Sequence, residues 1–167
     1  MDDTNFTAPR PAIPPDRSGM RRLNDRATRI FMTLVDGLRV GDARKLDNAR
    51  GTFMAVSVDF IVGEELRGAS GPSSWALYAV AHNYLANGDL IPDPDVEFYV
   101  VDDPVRPGAR AVYPIAIDHG PLGYHRYAQL ERSGQLSPVL ARGQDDLARF
   151  CDAWMRNIAS QQGLEVA

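Results

Sequence analysis

The chain has 167 residues, 44% of them apolar and 24% charged, with a formal net charge of −4 and a pI near 5.3. That length suits one domain with a sizeable core, and the acidic balance argues against general binding to nucleic acid or anionic membranes, which needs a net basic footprint. A single cysteine, Cys151, excludes an intramolecular disulfide framework and a cysteine-based zinc site.

No stretch of about 18 apolar residues marks a membrane span, and no basic segment followed by an apolar run marks a signal peptide, so a cytoplasmic protein is expected. Charge is unevenly spread. Through Arg50 there are 10 cations and 7 acids, and from Gly51 onward 8 cations and 15 acids. Lys45 is the only lysine.

Residues 1–17 hold Pro9, Pro11, Pro14 and Pro15 with few large apolar side chains. Such a segment buries too little surface to offset the entropy of ordering, so a flexible Pro-rich tail is expected. Residues 18–163 then read as a single domain. Ser18 suits a helix N-cap, and Met20, Leu23, Ala27, Ile30, Phe31, Leu34 and Leu38 follow at the three-and-four spacing of one buried stripe. This predicts an amphipathic helix over 19–38. Arg22, Arg26 and Arg29 lie on another of its faces and are a candidate anion-binding set. The segment 41–51 reads as a connection.

Thr52 to Val62 alternates apolar and polar side chains, the pattern of a half-buried strand. A Gly- and Ser-rich turn at 68–74 leads into Trp75 to Tyr84, read as the returning strand, with a short helix as the competing assignment. Asn87-Gly88 is a pair that tolerates positive φ at both positions, and with Asp93-Pro94-Asp95 fixing a second bend the segment 87–94 reads as a turn. Strands over 96–101, 112–117 and 124–130 follow, with Pro114 calling for an edge or a bulge. Segment 134–143 reads as loop. From Gln144, the spacing of Leu147, Phe150, Cys151, Trp154, Met155 and Ile158 predicts a second amphipathic helix that Gly163 stops, with Asp145 and Asp146 in its first turn. The expected fold is α+β: an antiparallel meander of about five strands flanked by an N-terminal and a C-terminal amphipathic helix.

Six carboxylates, Asp89, Asp93, Asp95, Glu97, Asp102 and Asp103, fall within fifteen residues without one cation. Oxygen ligands suit hard cations, but the spacing departs from the calcium-loop pattern and strand neighbours diverge, so no metal site is assigned. With Asn87 they form a candidate surface for a basic protein patch. His82, His119 and His125 show no metal-ligand spacing. A general base built from His82 or His119 with Asp89, Asp93 or Asp118 is the enzymatic alternative, though no serine elbow accompanies it. Cys151 sits on an apolar stripe and reads as an inert buried thiol. The glycines form no phosphate loop or dinucleotide fingerprint, so no cofactor is expected.

The run Ala81 to Phe98, with His82-Asn83-Tyr84 leading into Asn87-Gly88-Asp89 and then Asp93-Pro94, resembles a family of small bacterial proteins carried on plasmids, integrated elements and phages. Tyr113-Pro114, Asp118 with Leu122-Gly123-Tyr124, Trp154 to Ile158 and Gln162-Gly163 extend the likeness over roughly 52–163. The resemblance implies an accessory or host-interaction role and transfers no catalytic residue. The expectation is a non-enzymatic mobile-element protein that binds a host or element-encoded protein, a host defence system being one such target. A small hydrolase, with or without a divalent ion, is the alternative.

Overall fold

Six antiparallel strands pair in strict chain order behind two helices, which makes the fold α+β. The computed structural model describes residues 19–63, 75–103, 105–131 and 136–166. The expected tail at 1–17, the Ser18 cap and the turn at 68–74 lie outside the described residues. In chain order the elements are α1 (Asp25–Val35), β1 (Ala43–Leu46), β2 (Val56–Gly63), β3 (Trp75–Ala86), β4 (Asp89–Asp102), β5 (Arg110–Asp118), a 3-10 turn at Gly120–Leu122, β6 (Tyr124–Arg126), β7 (Ala128–Leu130), β8 (Leu136–Pro138) and α2 (Ala141–Gln162). β1 to β6 form the meander, and β7 pairs with β8 in a separate two-stranded sheet.

Both helices cover one face of the meander. Strand alternation turns Val56, Val58 and Phe60 of β2, Tyr78 and Val80 of β3, and Val96, Phe98 and Val100 of β4 toward Ile30, Phe31 and Leu34 of α1 and Cys151, Trp154, Met155 and Ile158 of α2. Phe31 meets Tyr78 edge-on at 5.8 Å between ring centroids, and Phe60 stacks on Tyr78 at 4.4 Å. At about 1.5–3 kcal/mol for each fully buried large apolar side chain, this layer carries most of the driving force for folding. On the opposite face Leu77, Tyr99, Tyr113 and Ile115 pack with Ala128, Leu130 and Leu136 of the β7–β8 hairpin. The hairpin therefore covers only the end of the outer face where those side chains lie.

Two buried glutamines fasten the helix layer to the rest. Gln144 accepts a hydrogen bond from the Arg21 N–H at 2.7 Å and donates to the carbonyls of Arg21 at 2.7 Å and Pro114 at 3.1 Å. Gln162 accepts from the Asn48 N–H at 2.9 Å and donates to the Met54 carbonyl at 3.1 Å. Each amide satisfies backbone groups that burial would otherwise leave unpaired.

Several elements differ from the sequence reading. The helix expected over 19–38 is confined to Asp25–Val35, because Asn24 caps it by accepting from the Ala27 N–H at 2.9 Å. Met20 and Leu23 are buried in the extended segment before the helix, where the Leu23 N–H donates to the Val112 carbonyl. The presumed connection at 41–51 contains β1, a four-residue edge strand paired with β2. The strand expected over 124–130 divides at Tyr127, whose N–H donates to Ile115 of the large sheet while its carbonyl accepts from Val139 and Leu140. The presumed loop at 134–143 supplies β8 and the start of α2, which puts Asp145 and Asp146 beyond the first helical turn. Trp75–Ala86 is strand throughout, and the turn expected over 87–94 shrinks to Asn87-Gly88, since β4 already pairs with β3 from Asp89. Pro114 lies at a bulge, where the register steps from Glu97↔Ala116 to Phe98↔Pro114.

Candidate functional site

β3 and β4 outrun their neighbours. β2 pairs with β3 no further than Val56↔His82, and β5 joins β4 only from Asp118↔Asp95, yet β3 and β4 stay paired from Asn83↔Pro92 out to Ala86↔Asp89. The last part of the pair is a free two-stranded ribbon. Asn87 and Gly88 close it with φ of 53° and 87°, the two positive values that a type I′ hairpin turn requires. At its base His82 faces both Asp93 and Pro94 in a bulge, and the Asp93–Pro94 peptide bond is cis. Pro92 and Pro94 are tolerated because β4 has no second neighbour there. The 3-10 turn packs on the ribbon at Gly120, where a Cβ would come within 2.8 Å of the Pro92 carbonyl oxygen.

The ribbon is apolar at its tip. Leu85 and Leu90 face each other across the strands and are 74% and 63% exposed. Strand alternation places them on the outer face together with two transverse rows of residues. One row runs Ala43, Asp59, Ala79, Glu97, Ala116, Arg126, and the next runs Lys45, Ser57, Ala81, Asp95, Asp118, Tyr124. Between its carboxylates the face has an alanine floor.

The charges in these rows are under-compensated. Burial, and then the like charges of Glu97, Asp118 and Asp59, push the Asp95 carboxyl up to about 6. Its Oδ1 is buried and has no hydrogen-bond partner among the described residues. Asp118 accepts from the Gly120 N–H at 2.8 Å. Glu97 accepts from the Tyr124 hydroxyl at 3.0 Å, and that hydroxyl in turn accepts from Arg126 at 3.1 and 3.2 Å. Lys45 and Arg126, at opposite ends of the rows, are the two cations set against four carboxylates.

Of the acidic residues picked from sequence, Asn87, Asp89, Asp93, Asp95 and Glu97 belong to the ribbon and its adjoining face. Asp102 and Asp103 do not, since they end β4 at its far side. Asp102 pairs with Arg110. Asp103 is 5% exposed and joins Arg22 and Arg106, each at 2.8 Å. Burial alone would raise the Asp103 carboxyl, but hydrogen bonds from the Val105 N–H, Arg106 and Arg22 outweigh it and bring the group down to about 2. The three arginines proposed as one set are likewise separated. Arg22 serves this buried pair from the segment before α1, while Arg26 and Arg29 are exposed on the helix itself.

His82 is 5% exposed and takes the Trp154 indole N–H on Nδ1 at 3.3 Å, which puts its own proton on Nε2, an atom left without a partner among the described residues. Burial lowers its pKa and keeps it neutral. The His119 and His125 rings lie 6.3 Å apart. Among the described residues no histidine hydrogen-bonds a carboxylate, and no group of three or more His, Cys, Asp or Glu side chains is arranged to hold a metal ion. Cys151 is buried, and burial drives its thiol pKa well up.

Compared with known protein families, residues 26–164 match DUF6908, described as a domain of unknown function. The chain belongs to the DUF6908 family. No curated protein and no solved structure matches it. The DUF6908 match opens inside α1 and closes just past α2, so both helices, the meander and the ribbon all fall within it. Among the described residues of this DUF6908 chain, no helix is long and apolar enough to cross a membrane. Sequence reasoning missed Leu85, Leu90 and Asp59 in the ribbon face. Leu85 and Leu90 sit symmetrically about Asn87-Gly88, and that symmetry already implies a cross-strand pair once the turn type is known.

Proposed function

We propose that this protein works without catalysis, as a binding module that seats another protein on the outer face of the β3–β4 ribbon. Leu85 and Leu90 are its apolar anchors, and Asp59, Asp95, Glu97 and Asp118 recognise a basic segment of the partner. The observation that carries this reading is the composite face: an exposed leucine pair on the same side of the sheet as four carboxylates, with only Lys45 and Arg126 as cations at its two rims. Exposed apolar side chains rimmed by charge mark protein interaction sites, and a basic partner relieves the repulsion around Asp95. The proposed partner is a host or element-encoded protein and the proposed role that of a mobile-element accessory protein, in keeping with the likeness of the central run.

The test is capture and mass-spectrometric identification of partners from a bacterial lysate with the wild-type chain and with Leu85→Asp/Leu90→Asp, followed by titration of the purified partner. The expected result is a saturable complex that weakens as salt rises and loses at least tenfold in affinity in the double variant, about 1.4 kcal/mol. Recovery of the same proteins with equal affinity by both chains refutes the proposal.

A further inference from the structure

A second recess lies on the helix side of the molecule, remote in character from the acidic ribbon. One wall is a single stripe of α1, formed by Asp25, Thr28, Arg29, Met32 and Thr33 at helical spacings of three and four, with Asp36 just past the helix end. The other is the turn between β4 and β5, with Arg106, Ala109 and Arg110, and Val166 closes one end. The groove is open to solvent and measures about 600 Å3, within the range of small-molecule sites. Met32, Ala109 and Val166 make much of its surface apolar.

The arginines of this groove are in different states. Arg106 is committed to Asp25 at 2.9 Å and to Asp103 at 2.8 Å. Arg110 pairs with Asp102. Arg29 is exposed, and no carboxylate among the described residues pairs with it. An open guanidinium fork beside an apolar wall recognises a planar carboxylate bidentately. The surrounding acids decide the charge of the occupant. Asp25 and Asp36 line the groove, with Asp102 and Asp103 just behind its arginines. With Arg22, which also pairs with Asp103, four arginines and four aspartates sum to zero, so the open Arg29 fork is what meets a single negative charge and nothing is left to compensate a second.

We propose that the α1 groove binds a small amphipathic monocarboxylate, with its anionic head on Arg29 beside Arg110 and its apolar body laid over Met32, Ala109 and Val166. The site is independent of the ribbon face, so loss of either function leaves the other intact.

Isothermal titration of the full chain with octanoate, octanamide and inorganic phosphate tests it, with backbone amide shifts mapping where binding occurs. Octanoate is expected to bind saturably, to shift the amides of Thr28 to Thr33 and of Gly108 to Arg110, and to leave those of Asn87 to Asp89 unmoved. Arg29→Ala, an exposed change that leaves the core untouched, is expected to weaken octanoate about tenfold, and octanamide and phosphate are expected to bind at least tenfold more weakly than octanoate. Met32→Asp removes apolar contact and adds repulsion, and is expected to abolish binding. Equal affinity for octanoate and octanamide, phosphate binding as tight as octanoate, unchanged affinity in Arg29→Ala, or no saturable heat with octanoate overturns the proposal.

Discussion

Replacing Asp95 by asparagine should stabilise the protein at neutral pH. The Asp95 carboxyl is raised from 3.8 to about 6 by burial and by Glu97, Asp118 and Asp59, so its ionised form is disfavoured in the folded chain. The sign follows from linkage. Below about pH 3 the carboxyl is protonated in both states and costs nothing. Between about 4 and 6 the unfolded chain ionises first, and above about 7 the full penalty opposes folding. A shift from 3.8 to about 6 corresponds at most to about 3 kcal/mol, and partial exposure of Asp95 with the attendant solvent screening reduces this to about 1–2 kcal/mol. The asparagine amide keeps the shape, carries no charge and offers N–H donors to Asp118 or Glu97. Thermal unfolding of wild type and Asp95→Asn at pH 3, 5 and 7.5 is the assay. The variant should match wild type at pH 3 and gain about 2–8 °C at pH 7.5. A variant less stable at pH 7.5, or a difference that does not change with pH, refutes the account of a carboxylate crowded by like charge.

Asp103→Asn leaves Arg22 buried without its counter-charge and should cost about 3–5 kcal/mol in urea unfolding at pH 7. Because the folded Asp103 carboxyl sits at about 2, below its usual value, its stabilisation is present above about pH 4 and fades as pH falls toward 2. The deficit of the asparagine variant should narrow over that same interval. Gln144→Ala strips one acceptor and two donations from Arg21 and Pro114, and a loss of about 2–4 kcal/mol by chemical denaturation is expected. Gly120→Ala drives a methyl to 2.8 Å from the Pro92 oxygen at a φ of +63°, so a lower Tm together with shifted amide signals in the ribbon should result, while Gly88→Ala meets no atom within 4 Å but strains the turn at a φ of +87°, so a smaller loss of Tm with signal changes centred on the turn is expected.

The long alternating strands and the last helix were readable because their apolar side chains repeat with a fixed period over many residues. Val96, Phe98 and Val100 and the Leu147 to Ile158 stripe all land where that period puts them. β1 carried no such signal, since Ala43, Arg44, Lys45 and Leu46 form a short rim strand that buries little. Met20 and Leu23 misled in the other direction. Their spacing continued the helical stripe, but the Asn24 side chain stops the helix short, and in the extended lead-in Leu23 is buried with its N–H on the Val112 carbonyl while Met20 joins the outer-face cluster. In the candidate face, the Asn-Gly turn was legible because two residues define it locally. The separation of Asp95 from Asp103 was not, because nothing near either residue tells that Arg22 reaches one of them while three carboxylates surround the other. Long-range electrostatics emerges only from the pairing register.

The meander ends in two unequal borders. β1 offers four residues at one, with Arg44 and Lys45 in its middle, and β6 offers three at the other, among them His125 and Arg126. A foreign chain trying to extend the sheet finds too few consecutive main-chain groups to hold, and must desolvate cations to reach them. Sideways stacking of copies into fibres is thereby disfavoured, even though a meander, unlike a closed barrel, leaves both of its outermost strands bare.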